Sequence, residues 1–202
     1  GIRACAEVIL RNASLSPDGF ANLRFAALAN VPAGSPFFPA AYHSGTQPAF
    51  AIATEAADLA VEAFTSATDL ASARQGVISA VESQANRITE IAEKMSEQFG
   101  IQFGGIDFSL APFPQVEQSL GCAFERLGVP AVGLHGSLAA AAMIADALDR
   151  AIFKRAGFSG LMLPVLEDAV LAQRVEEGVL DMTDLLLYSA VCGTGLDTIP
   201  LP

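Results

Sequence analysis

The chain has 202 residues, 52% of them hydrophobic, and carries 22 acidic against 11 basic residues for a net charge of −11. That length fits a single α/β domain over residues 1–202. The acid excess, with Lys154-Arg155 as the densest basic pair, excludes a nucleic-acid partner, because phosphate neutralisation needs clustered Lys and Arg. Mean hydropathy is +0.44, yet a membrane span needs roughly 20 consecutive apolar residues. The best stretch, Leu134 to Ile144, is shorter and rich in Gly, Ser and Ala, so the hydropathy is assigned to a buried sheet with alanine-rich helices.

The segment to about Asn12 reads as the end of a helix, and Asn22 to Asn30 as a strand that runs into a proline-rich loop ending at Pro48. Ala49 to Thr54 reads as a buried strand and Ala56 to Phe64 as a helix. Asp69 to Phe99 follows as one long helix or two. Val77, Ile78, Val81, Ala85, Ile88, Ile91, Ala92 and Met95 recur at helical spacing, and Gly100 ends the run as a C′ glycine should. Ile101 to Leu110 is the next strand, then a helix from about Val116 to Leu127 stopped by Gly128. Pro130 to Leu134 reads as a short strand, and Ser137 starts a helix to about Ala156. Phe158 to Val165 is a further strand, Glu167 to Glu177 a helix closed by Gly178, and Asp181 caps a last helix to Ala190. Roughly five strands alternating with helices predict right-handed crossovers and a mostly parallel sheet, open or part of a barrel.

In such folds the chemistry gathers at the C-terminal ends of the strands. Both histidines fall in loops there, each with a glycine close by: Tyr42-His43-Ser44-Gly45 and Gly133-Leu134-His135-Gly136-Ser137. A histidine at such a turn moves a proton or polarises a carbonyl. The N–H groups around Ser137 and Leu138, at a helix start, suit an anion, and Gly133 and Gly136 permit close ligand approach. Alternation along Ile106-Asp107-Phe108-Ser109-Leu110 places Asp107 and Ser109 on one side, facing a ligand or bonding local backbone. Two histidines and a carboxylate are also a ligand set for a divalent metal, should His43, Asp107 and His135 meet. Glu167 and Asp168 follow a strand end, as ligand contacts or as charges complementing a helix dipole. Cys192, in Cys192-Gly193-Thr194-Gly195, is a glycine-flanked thiol, nucleophilic only beside a base or positive field and otherwise a small buried hydrophobe. Three widely spaced cysteines, Cys5, Cys122 and Cys192, match no zinc or dithiol pattern and point to a reducing, cytoplasmic setting.

Taken in order, Pro36-Phe37, Tyr42-His43, Asp107-Phe108-Ser109-Leu110-Ala111-Pro112, Gly133-Leu134-His135-Gly136, Ser159 to Asp168 and Cys192 to Asp197 resemble the family of domain of unknown function 711, often labelled pyruvate formate-lyase-like. The resemblance spans nearly the whole chain. It implies that these residues form a central portion of a longer architecture, an α/β barrel akin to that of the glycyl radical enzymes. It does not carry over radical chemistry, since no glycyl-radical motif is present and Cys192 has no paired cysteine. The expectation is an enzyme-like barrel protein that performs proton-transfer or metal-assisted chemistry on a small polar metabolite, with His43, Asp107, Ser109, His135 and Cys192 as catalytic candidates. Gly133, Gly136, Ser137, Glu167 and Asp168 are the ligand-binding candidates. The alternatives are a non-catalytic ligand-binding or regulatory protein and a structural subunit. The expected partners are a small molecule and either a second copy or the remainder of the barrel, with no membrane.

Overall fold

A computed structural model describes residues 1–18, 21, 25, 36–37, 40–41, 44–192 and 195. The chain divides into two compact units, residues 1–45 and 46–202. The first holds helix α1 (Ile2–Ala13) and a two-residue antiparallel pair, β1 (Pro36–Phe37) with β2 (Ala40–Ala41). The strand expected over 22–30 lies outside the described residues, and so does His43.

The second unit is built around two parallel strands, β3 (Ala49–Ala53) and β4 (Gln102–Asp107). Between them run α2 (Ala57–Ser66) and α3 (Leu70–Phe99), a single helix of 30 residues. Asp69 starts α3 in a reciprocal cap with Ser72, and Gly100 ends it at φ 64°. Apolar periodicity does the rest: Ala73, Val77, Ile78, Val81, Ala85 and Ala92 are buried along one side of α3. After β4 come a 3-10 turn (Val116–Gln118), α4 (Leu120–Arg126), α5 (Ser137–Arg150), α6 (Ala169–Glu176) and α7 (Met182–Ser189). Phe108, Leu110, Leu120, Phe124, Ile144, Leu148, Leu161 and Leu171 form the centre of the core. No helix among the described residues is long and apolar enough to cross a membrane.

Three expected elements differ. The helix from Ser137 stops at Arg150, not Ala156, because residues 154–156 line the edge of β4. Ile106 donates its N–H to the Lys154 carbonyl (2.8 Å) and accepts from the Ala156 N–H (2.9 Å). The Arg155 guanidinium turns back onto the carbonyls of Leu148 and Ala151, closing the C-terminus of α5. Residues 130–134 make turns rather than a strand. The Gly133 N–H goes to the Ser137 hydroxyl (3.1 Å), and a φ of 103° turns the chain away from any ladder. Residues 158–165 add no strand to the sheet: their β-bridge, Leu110–Leu161, lies beyond the end of β4. The N–H groups of Phe158 and Ser159 are given instead to the Asp107 carboxylate. The described part is therefore α/β with a small parallel sheet of two strands.

Candidate functional site

Asp107 ends β4 and is buried. Its Oδ1 accepts the Ser109 hydroxyl (2.6 Å) and the Ser159 N–H (2.8 Å), and its Oδ2 accepts the Phe158 N–H (3.0 Å). The loop that delivers these donors passes so close that a Cβ on Gly157, at φ 58°, would overlap the carboxylate, with Cγ only 2.6 Å away. Ser159, itself at φ 47°, accepts the Phe108 N–H on its hydroxyl (3.1 Å). The sequence correctly brings Asp107 and Ser109 to one side of the strand. What they meet there is backbone: an acceptor-rich carboxylate pins residues 157–160 beside the sheet.

Asp168 is the second buried carboxylate, and it serves two helices at once. Oδ1 accepts the N–H groups of Val170 and Leu171 (both 3.0 Å), capping α6, and the Ser119 hydroxyl (2.5 Å). Oδ2 accepts the N–H groups of Leu120 (2.7 Å) and Gly121 (3.3 Å) at the start of α4. Two helix N-termini thus point at one anion, the arrangement the macrodipole favours. Its neighbour Glu167 is exposed, and the Glu167 N–H bonds the Pro164 carbonyl. Farther along α4 and α6, Arg174 grips Glu125 with two bonds, 2.7 and 2.9 Å, and reaches Glu177 at 2.7 Å. These carboxylates hold the guanidinium above its ordinary pKa, and Arg174 in turn draws the Glu177 carboxyl down. A hollow of about 340 Å³ lies over this pair and Cys122, with its two central charges already matched.

His135 sits at the opposite end of those helices. Asp168 marks the N-terminal ends of α4 and α6, whereas the turn carrying Gly133 packs on the Val179 carbonyl just past α6. Seven residues of α4 alone amount to about 10 Å along the axis. The imidazole is exposed in a second hollow of about 320 Å³, lined by Gly133, Leu134, Gly136, Leu138, Asp184, Leu187 and Tyr188. Ser137 is buried beneath it. Its N–H bonds the Leu134 carbonyl (3.2 Å), and its hydroxyl accepts from Gly133 and donates to Leu134 (2.8 Å). The Ser137 N–H is therefore turned inward, not offered to an anion. Tyr188 is buried in the floor against the Ser137 hydroxyl and the Gly133 backbone. Burial pushes its phenol pKa up, and the charges of Asp184 and Asp181 add to the shift. Neither Asp107 nor Ser109 lines this hollow. Among the described residues, no three His, Cys, Asp or Glu side chains converge to hold a metal ion.

Cys192 is buried, follows α7, and accepts the Gly195 N–H on its Sγ at 3.2 Å. Its carbonyl takes the Leu161 N–H (3.2 Å), tying the end of α7 to the core. No disulfide joins Cys5, Cys122 or Cys192. Tyr188, Asp184, Ser159 and Gly157 were not singled out by the sequence. Ser119 carried a usable signal, a hydroxyl just ahead of an apolar run. Tyr188 carried only its rarity, as one of two tyrosines.

The described residues thus define an α/β protein with a helix-rimmed surface hollow holding a histidine, a carboxylate and a buried phenol. The family model described as "Uncharacterised ACR (DUF711)" matches residues 1–202, and the chain belongs to that family. Its relatives include a UPF0210 protein of Pyrobaculum aerophilum, 38% identical over the whole of this chain, and one of Neisseria gonorrhoeae, 32% identical over the same span. In Sulfurisphaera tokodaii a UPF0210 protein is 34% identical over 87% of the chain. The chain spans about half the length of the relatives it matches, 46% of the first two.

Proposed function

We propose that this chain contributes the ligand-facing hollow of an enzyme-like α/β protein, in which His135 moves a proton to or from a small polar metabolite. The observation that carries the reading is the company His135 keeps. An exposed imidazole, the Asp184 carboxylate and the Tyr188 hydroxyl line one hollow whose remaining side chains are Leu134, Leu138 and Leu187. A few titratable groups in an apolar concavity are the usual requirement for positioned acid–base chemistry. The Tyr188 phenol is protonated at neutral pH, and burial moves its pKa further from neutrality, so its hydroxyl is assigned as a donor for an oxygen of the metabolite. Asp107, Ser109 and Cys192 are assigned positioning roles, because their polar atoms are bonded inside the molecule, to backbone and, for Asp107 and Ser109, to each other.

The finer fold reading is that the sheet is one sector of a barrel. The parallel contacts advance in chain order, from β3 to β4 to Arg155, and Leu110 meets Leu161 in the same sense. Parallel rungs in chain order with helices between them fit the plan of an α/β barrel, although the Glu55–Leu110 bridge beyond the ends of β3 and β4 is antiparallel. Cysteines without a disulfide support a cytoplasmic setting for it.

Differential scanning fluorimetry with millimolar panels of small carboxylates, oxo acids, phosphates and amines tests the proposal. A ligand present at 100 times its Kd adds about 2.7 kcal/mol, or roughly 5–10 °C for a chain of this size. At least one class should give such a shift for the parent chain and lose it in His135→Gln and Tyr188→Phe. A shift that survives both substitutions places the ligand elsewhere and ends this reading. A ligand lost in both variants but never converted favours the regulatory alternative.

A further inference from the structure

The C-terminal quarter of α3 continues an apolar seam past the residues that cover it. Ile78, Val81, Ala85, Ile88, Ala92, Met95 and Phe99 follow one another at spacings of 3, 4, 3, 4, 3 and 4, which puts them on a single side of the helix. The seam is covered as far as Ala92, 1% exposed, and then opens: Met95 is 46% and Phe99 60% exposed. Ile91, adjoining the same side, is 61% exposed. Seven residues from Glu93 to Phe99 carry the uncovered stretch about 10 Å beyond the core. Helices that face water place polar residues on the outer side, and here Glu93 and Glu97 already occupy that flank.

We infer that the Met95–Phe99 end of α3 is the docking face for the portion of the family architecture that the relatives carry outside the matched 46% of their length. The inference rests on the chain being one sector of a larger fold, and it is independent of the His135 hollow. The occupant is an apolar helix face of that portion, packed along the Met95–Phe99 side of α3 and away from Glu93 and Glu97. Length argues for it, since more than half of each of those relatives is available to cover the seam. The heptad spacing argues for it too, because it continues through Phe99 without a break where solvent exposure would relax it.

The test replaces the matching segment of the Pyrobaculum aerophilum protein by this chain and compares the resulting full-length protein with the 202-residue chain alone. Met95→Gln with Phe99→Gln is made in both, since glutamine keeps the helix and adds no negative charge to its C-terminal end. The expected result is a Tm loss of several degrees in the full-length protein and less than one degree in the short chain. Amide exchange over residues 93–99 should also be at least tenfold slower in the full-length protein. Equal small losses in both mean the end of α3 is ordinary surface and overturn the inference. Equal large losses mean residues 1–45 cover it, and a dimer of the short chain that the double variant abolishes means a second copy does. Either result overturns the inference as well. If the hybrid does not fold, the relative's remaining portion is added to the short chain. Slowed exchange at 93–99 then supports the inference, and unchanged exchange refutes it.

Discussion

Replacing Asp168 removes one carboxylate but unsatisfies two helices. Five donors converge on it: the N–H groups of Leu120, Gly121, Val170 and Leu171, and the Ser119 hydroxyl. In Asp168→Asn the side chain keeps its shape and offers one oxygen. That oxygen serves either the α6 donors or the α4 donors, and the amide NH₂ then faces N–H groups on the other side. A lost helix cap costs about 1 kcal/mol, and an unsatisfied buried donor about 1–3 kcal/mol. The Asn variant should therefore lose about 2 kcal/mol. Asp168→Ala, which strands both sets, should lose about 4 kcal/mol. At about 2–4 °C per kcal/mol for this chain length, the Tm falls by about 4–8 °C and 8–16 °C. Urea unfolding followed by circular dichroism measures both, with m-values checked for constancy. Asp69→Ala, which removes an exposed cap of α3, is the comparator and should shift the midpoint less than either. If Asp168→Asn leaves the midpoint where it was, or Asp168→Ala costs no more than Asp69→Ala, the shared-cap explanation is wrong.

Gly157→Ala should destabilise by at least about 2 kcal/mol, since the new Cβ meets the Asp107 carboxylate and φ is left-handed; urea midpoints decide it, and a neutral outcome removes Asp107 from its clamp role. Arg174→Lys should cost about 1–2 kcal/mol, because an ammonium cannot make the two-pronged contact with Glu125; a thermal melt matching the parent would count against the pair. Stability should also fall as pH rises above about 10. Tyr188 ionises later in the folded than in the unfolded chain, so the unfolded state gives up its proton first and is favoured between the two values. Alkaline melts of Tyr188→Phe should lack that part of the fall, and identical curves would show that Tyr188 does not cause it.

The helices were legible because their signals are local. The apolar spacing from Val77 to Met95, Asp181 ahead of α7 and glycines 100, 128 and 178 each act within a turn or two of their own position. The two segments after β4 that read as strands do not form them. Residues 158–165 have strand-like composition, but a carboxylate 51 positions earlier takes the N–H groups a ladder would use. Burial of Asp107 and Ser109 on one side of β4 followed from alternation. Whether that side faces a ligand or a neighbouring loop depends on where residues 157–160 return, which no local pattern records. His135 was visible as a glycine-flanked loop residue. Its partners Asp184 and Tyr188 come from α7, 49 and 53 positions away, and read there as ordinary positions on an amphipathic helix.

The most direct measurement is a chemical-shift map of the chain, labelled at its leucine methyls and histidine rings, against whichever metabolite class raises its melting temperature. With two histidines in the sequence, His135→Gln assigns both imidazoles at once. Ligand addition should move the His135 ring resonances together with the methyls of Leu134, Leu138 and Leu187. It should leave Leu110 and Leu161, which are bridged next to the Gly160 end of the Asp107 clamp, in place. Perturbation centred on those two leucines, with His135 unmoved, would put the ligand at the buried carboxylate and contradict the assignment of the hollow.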